Sequence, residues 1–195
     1  MELRARRATI LTKKGKKKMN KEYYAAYIIP NKNDMSIIDR MHIHIPAKAA
    51  PKGSWATFVR NGRTITKPAN DREVKVAKQI TSAILQAVHD GAGIQENMRQ
   101  HFHEAGPKAA KGPYSVEAVF KFNNKNRQIQ KTTMPDLDKL LRSINDAITK
   151  TGVLWVDDAQ VSNIKAQKIN ASRDEIILDV YRIQPDEYPE YKKPL

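Results

Sequence analysis

Over residues 36–46, apolar and polar positions alternate in the second half of the stretch, where Ile37, Met41, Ile43 and Ile45 are set apart by polar neighbours. A period of two sends successive side chains to opposite faces of an extended chain, so this stretch predicts a strand. Trp55–Val59 and Thr64–Thr66 flank Asn61-Gly62, a pair suited to the positive φ angles of a tight hairpin turn. From Asp71 to His89 the period changes. Val74, Ala77, Ile80, Ile84, Leu85 and Val88 recur at helical spacing, and Gly91 and Gly93 stop the predicted helix. Ile94, Met98 and Phe102 predict a second, short helix before Gly106-Pro107. Alternation returns at Tyr114–Phe122, with Val116, Ala118, Phe120 and Phe122 on one face. Leu137, Leu140, Leu141, Ile144, Ala147 and Ile148 then form the stripe of a helix that Gly152 ends. Val153–Val156 predicts a short strand. Val161–Ile169 and Glu175–Ile183 predict two more, joined by a turn at Asn170–Asp174.

Strands and helices therefore interleave, which predicts a compact α+β domain with a mixed β-sheet and packed helices. We place the domain at residues 36–183, after a basic extension at 1–35 and before a Pro-containing tail at 184–195. In the extension, Arg4, Arg6, Arg7, Lys13, Lys14, Lys16, Lys17, Lys18 and Lys21 face only Glu2 and Glu22. Like charges at that density repel, predicting a mobile arm. Tyr23–Ile29 is apolar enough to pair as a strand. No internal repeat is evident.

Charge adds the first functional constraint. The 195 residues hold 35 Lys and Arg against 21 Asp and Glu, a net charge of +14. A polyanion is the natural partner, because each phosphate neutralised releases condensed counterions. There is no cysteine, which excludes disulfide frameworks, zinc–thiolate sites and cysteine nucleophiles. No apolar run is long enough for a membrane span, and the N-terminus lacks the apolar core of a signal peptide.

Candidate chemistry concentrates in residues 135–160. Pro135 disfavours helix at Met134 and predicts a helix start with Asp136 as N-cap. Asp136 and Asp138 cannot share a face inside a helix, since two residues turn it by about 200°. At the helix mouth they can converge, and the strand ending in Asp157-Asp158 is expected to bring further carboxylates to the same point. Such a cluster calls for a hard divalent cation of the kind that activates water for phosphodiester cleavage. Arg142, four residues after Asp138, shares its face and suits charge on the phosphate. Singly, an Asp at a helix start is more often a cap, and Asp-Asp before Ala-Gln more often a turn. The combination on one helix–strand unit of a basic chain favours a nuclease.

The segments Pro135-Asp-Leu-Asp-Lys-Leu-Leu-Arg142, Asn145-Asp-Ala-Ile148 and Gly152-Val-Leu-Trp-Val-Asp-Asp-Ala-Gln-Val161 resemble the signature of RusA-type Holliday junction resolvases. The close match runs over about Pro135–Lys168. The resemblance implies a magnesium-dependent (manganese is an alternative), homodimeric endodeoxyribonuclease that nicks opposed strands of four-way DNA junctions to leave 5′-phosphates. It implies work in recombination, repair or phage DNA processing in the cytoplasm of a bacterial or phage-infected cell. Its metal carboxylates fall on Asp136, Asp138 and Asp158, with Asp157 beside them. Arg142 stands where the family has lysine, and Lys139 where it usually has Asn. The stretch from the helix to Asp157-Asp158 is about a residue longer, which a loop at Thr149–Gly152 can absorb.

Lys48, Lys52, Arg60, Arg63 and Lys67, in and around the hairpin, are candidate phosphate contacts, as is Lys139. Lys165 and Lys168 are expected to line the acidic cleft, with Asp146 behind it. Two alternating pairs, His42/His44 and His101/His103, read as structural or solvated, because zinc needs more ligands. Trp155 and Phe58 read as core or dimer-interface residues. The rival functions are cleavage of flaps or forks by the same site, non-catalytic nucleic-acid binding, and an interaction module whose basic arm meets an acidic partner.

Overall fold

A computed structural model of the chain describes residues 25–53, 55–68, 71–124 and 129–183. The basic arm at 1–22, the tail from 184, part of the polar loop after Asn123 and the side chains of Phe58 and Lys67 lie outside the described residues.

Five strands form the main sheet: β1 (Ala25–Pro30), β2 (Ile38–Ile45), β5 (Tyr114–Asn123), β6 (Val161–Ala171) and β7 (Glu175–Arg182), in the order β1-β2-β7-β5-β6. The strand expected at Tyr23–Ile29 forms as β1, with Ile28 fully buried. The sheet thus takes in residues ahead of position 36. Strands β3 (Trp55–Arg60) and β4 (Arg63–Pro68) make a separate hairpin. Its turn has positive φ at both Asn61 (52°) and Gly62 (73°), as a two-residue turn that continues the strand twist requires.

Alternation decides what each face of the sheet meets. Met41, Ile43, Val116, Ala118, Phe120, Leu178 and Val180 point to one side and are buried. The helices α1 (Asp71–Asp90), α2 (Glu96–Ala105) and α3 (Leu137–Thr149) add Ile80, Ile84, Phe102, Ile144 and Ile148 to the same core. Each such side chain stabilises the fold by roughly 1.5–3 kcal/mol. Thr81 Oγ1 donates to the carbonyl of Ala147 at 3.3 Å and ties α1 to α3.

The other face is polar and paired. His42 Nδ1 lies 3.1 Å from Asp179, and His44 Nε2 3.0 Å from the buried Glu175, which also accepts from Lys121 at 3.0 Å. Tyr27 stacks on the His42 ring. This pair of histidines is structural, as expected.

Four details differ from the sequence reading. The buried stripe of α1 is Val76, Ile80, Ala83, Ile84 and Ala87, and Leu85 is 44% exposed, because it is one residue past Ile84 and so about 100° round the helix. His101 and His103 are not a same-face alternating pair, because both lie in α2, the short helix expected there, where a spacing of two separates them; among the described residues His101 pairs with Glu104. Val153–Val156 is not a strand. Instead, Val153, Leu154 and Trp155 are buried, and the segment is held by hydrogen bonds from Ala109 N to Gly152 O and from Ala110 N to Leu154 O. Finally, β6 and β7 are consecutive but not neighbours: β5 lies between them, parallel to β6 and antiparallel to β7.

That last feature positions the chemistry. Strand β5, helix α3 and strand β6 form a parallel crossover unit, so α3 starts at the carboxyl end of β5 and returns to where β6 begins.

Candidate catalytic site and nucleic-acid interface

Asp136 occupies the N-cap position of α3, with extended backbone (φ −69°, ψ 140°), yet its side chain caps no backbone amide. Its carboxylate meets the Lys139 ammonium at 2.7 Å instead. The hydrogen bond from Lys139, then its charge, and more weakly the charge of Lys168, hold the Asp136 carboxyl below the usual carboxylate range. Lys139 is raised in turn by the Asp136 hydrogen bond and charge, and Asp138 adds to it. Asp138 and Arg142 are both exposed, one helical turn apart.

Cations hold the approach to this helix mouth. Lys168 Nζ donates to the carbonyls of Pro135 (2.7 Å) and Thr133 (3.1 Å), so the far end of β6 anchors the loop that feeds Asp136. Beside Pro135 opens a groove of about 320 Å³ lined by Lys48, Arg72, Lys131, Asn123, Asn124 and apolar residues including Met134. Lys131 lies over the Phe122 ring at 5.2 Å. Arg72, Asn123, Asn124 and Lys131 escaped the sequence reading. A basic residue in the first helical turn and another in the polar loop were the available signals.

The second acidic pair behaves differently. Asp157 caps a one-turn 3-10 helix, Asp158–Gln160: its Oδ1 accepts from Ala159 N at 2.8 Å, and Gln160 Oε1 accepts from Asp157 N at 3.3 Å. Gln160 also donates to the carbonyls of Ala110 and Gly112, pinning the turn to the start of β5. Gln160 is therefore the organiser of this turn, a role that sequence reasoning left unassigned. Asp158 is exposed.

The two pairs are not brought together within the chain, contrary to the expectation that Asp157-Asp158 reach the mouth of α3. Asp158 precedes the first residue of β6, whereas the anchor of the Asp136 loop, Lys168, stands seven residues beyond Val161. At ~3.3 Å per residue that is roughly 23 Å. Helix α3 gives the same ruler, since its 13 residues span about 20 Å. Among the described residues no three His, Asp or Glu side chains are close enough to hold a metal ion. The donor types suit a hard cation, and Asp136 with Asp138 supplies two of them, but one chain does not gather the expected set.

The basic candidates divide likewise. Arg60 and Arg63 are exposed either side of the hairpin turn. Lys48 lines the groove. Lys52 is tied inward: its ammonium pairs with Asp146, and its backbone N donates to Lys139 O at 3.0 Å. Asp146 thus steadies the loop before the hairpin. Lys165 does not line the cleft. It pairs in register with Glu117, 4.0 Å away on the polar face of the sheet, because only even-numbered neighbours such as Ala166 and Lys168 face the helices.

The family model of Endodeoxyribonuclease RusA matches residues 51–181. The chain belongs to the RusA endodeoxyribonuclease family. The match takes in the hairpin, all three helices, β5, β6 and nearly all of β7, and so both acidic pairs. RusA membership implies Holliday junction endonuclease activity. No curated protein matches the sequence. Among the described residues no helix is long and apolar enough to cross a membrane.

Proposed function

We propose that this protein resolves four-way DNA junctions by paired phosphodiester hydrolysis, depends on magnesium with manganese as a substitute, and acts in the cytoplasm as a homodimer. The observation that carries the reading is the mouth of α3. Asp136 sits where a capping side chain belongs but caps nothing, and with Asp138 it offers carboxylate oxygens among Lys139, Arg142, Lys168 and the basic groove. A protein that only bound nucleic acid would gain nothing from carboxylates facing phosphate.

Magnesium is commonly held through one or two carboxylates together with waters and phosphate oxygens, and Asp136 and Asp138 are the residues of this mouth that would hold it. When bound, such an ion supplies an activated water and neutralises charge on the phosphate. The protein's own part is positional. Lys168 fixes the loop carrying Asp136, and Arg142 presents a guanidinium whose flat fork matches two phosphate oxygens. Lys48, Arg60, Arg63 and Lys131 supply sequence-independent attraction to the arms of the junction.

The test is cleavage of an end-labelled four-way junction beside a linear duplex, a fork and a flap of the same sequence, in magnesium, manganese or EDTA. We expect paired nicks in the junction with either metal and none in EDTA. Equal cutting of the duplex would remove junction selectivity, preference for flaps or forks would replace the substrate, and full cleavage in EDTA would remove the metal.

A further inference from the structure

The hairpin of β3 and β4 forms no ladder with the main sheet. Every one of its residues whose side chain is described, from Thr57 to Thr66, is exposed. Both faces are therefore in water, with Val59 70% and Ile65 37% exposed. A two-stranded ribbon is at best marginally stable alone, and this one is held at its root. Gly53 N donates to the Glu73 carboxylate in the first turn of α1 at 2.7 Å. Lys52 is tied to Asp146 and, through its backbone, to Lys139 O. The ribbon thus leaves the domain beside the α3 mouth.

Its charge is one-sided. Residues 51–70 include Lys52, Arg60, Arg63 and Lys67 and no acidic residue. Arg60 and Arg63 stand directly opposite each other beside the turn, an unfavourable arrangement for like charges that a polyanion relieves. The strand register sorts the other side chains. Thr57, Val59, Thr64 and Thr66 share one face, and Thr57 Oγ1 lies 3.2 Å from Thr66 Oγ1. Arg60, Arg63 and Ile65 lie on the other. The first face is shallow and adaptable. A hydroxyl gives or takes a hydrogen bond as a base edge demands, and the methyl groups of Thr and Val suit the thymine methyl. The major groove of DNA, about 12 Å wide, accepts a two-stranded ribbon, and six residues in each strand give roughly 20 Å of it.

We infer that the hairpin enters the major groove of a junction arm and selects the sequence that is cut, with Thr57, Val59, Thr64 and Thr66 at the base edges and Arg60 and Arg63 on the phosphates of the groove wall. The inference rests on the nuclease reading above and assigns the sequence selectivity of that site. Distance links reading to cutting. The Thr57–Thr66 pair is five residues beyond Lys52, whose N is bonded to Lys139 O, so it lies at most about 17 Å from the start of α3. At about 3.4 Å per base pair, the bases read fall within about five base pairs of the scissile phosphate.

The test maps nicks on a mobile four-way junction whose core migrates through many sequences, in magnesium. The parental chain is compared with a variant combining Thr57→Val, Thr64→Val and Thr66→Val, since Val keeps the shape and strand preference of Thr and removes the hydroxyl. We expect the parental chain to favour a few sequences by at least about tenfold, and the variant to lose most of that ratio by cutting the preferred sites less and the others as before. A parental chain that cuts all sequences alike, or a variant with the parental ratio, would overturn the inference. A second measurement needs no cleavage. Dimethyl sulfate methylates guanine N7, which lies in the major groove. In EDTA the parental chain should protect guanines in the junction arms, and a chain with residues 57–66 replaced by a Gly-Gly link should bind without protecting them. Guanines equally reactive with and without the parental protein bound would overturn groove entry. A shortened chain with a smaller assembly mass in solution would make a second copy the hairpin's partner, and overturn it too. Should the parental chain nick no junction, the nuclease reading fails, and the protection pattern still reports whether the hairpin enters the groove.

Discussion

Asp136 and Asp157 hold the same place, the residue before a helical turn, and do different things. Asp157 accepts from Ala159 N, and Asp136 turns to Lys139. An Asp at a helix start usually caps, and sequence cannot say which of two such residues does so. Asp157→Asn should therefore shift the urea-denaturation midpoint little, because Asn caps as well as Asp; a large loss of stability would contradict the capping role. Gly93 is constrained more tightly. Its φ is +92°, and a Cβ there would sit 2.8 Å from the carbonyl oxygen of Ile28. Gly93→Ala should destabilise the fold by about 1–3 kcal/mol in urea denaturation; an unchanged midpoint would contradict the close packing against β1. On the polar face, burial would raise the Glu175 carboxyl, but hydrogen bonds and charge from Lys121 and His44 outweigh it and hold the group below its ordinary 4.5. A depressed carboxyl stabilises the fold above its unfolded value and loses that contribution as pH falls through the folded value. Glu175→Gln should thus be less stable than the parent at neutral pH, and the gap should close as pH drops below about 4.5. A gap that stays constant with pH would show that Glu175 acts by shape alone.

Elements with a strong period were legible: β2, β5, α1, α2, α3, β6 and β7 lie close to where alternation or helical spacing puts them. The hairpin was legible because Asn-Gly fits its turn. Val153–Val156 was not, since a short buried run has no period to tell a strand from a packed loop. Nor did the positive charge of Lys52 disclose that it pairs with Asp146 while its backbone braces α3 at Lys139. This brace makes a prediction. Lys52→Ala should lower stability by about 1 kcal/mol and leave the salt dependence of DNA binding nearly unchanged. Lys48→Ala, on the groove, should do the reverse, flattening the salt slope by about one counterion. Filter-binding titrations across salt concentrations, with denaturation curves, separate the two; a flattened slope for Lys52→Ala would return it to the phosphate contacts.

At the scale of the molecule, the acidic residues were legible and their arrangement was not. The two pairs lie within about twenty residues of each other in sequence, which suggested one cluster. The missing step was topological. A full helix that leads straight into a parallel strand carries its first residue some 20 Å from the start of that strand, so Asp136 and Asp158 could not meet within one chain. Residue types and family pointed to cleavage, and only the sheet order showed that the two acidic pairs stand at opposite ends of the α3–β6 unit.

The most direct test of the central claim is Asp138→Asn, assayed on a labelled four-way junction for strand nicking in magnesium and for binding by gel shift in EDTA. Asn keeps the shape of the side chain and loses the charge that a hard cation needs, and an exposed position in the first turn of α3 tolerates it. We predict that nicking falls by at least about 100-fold, while junction binding in EDTA is kept or tightens, because one charge that repels phosphate has gone. Parental nicking by a variant that binds the junction normally would contradict the assignment of the α3 mouth as the catalytic site.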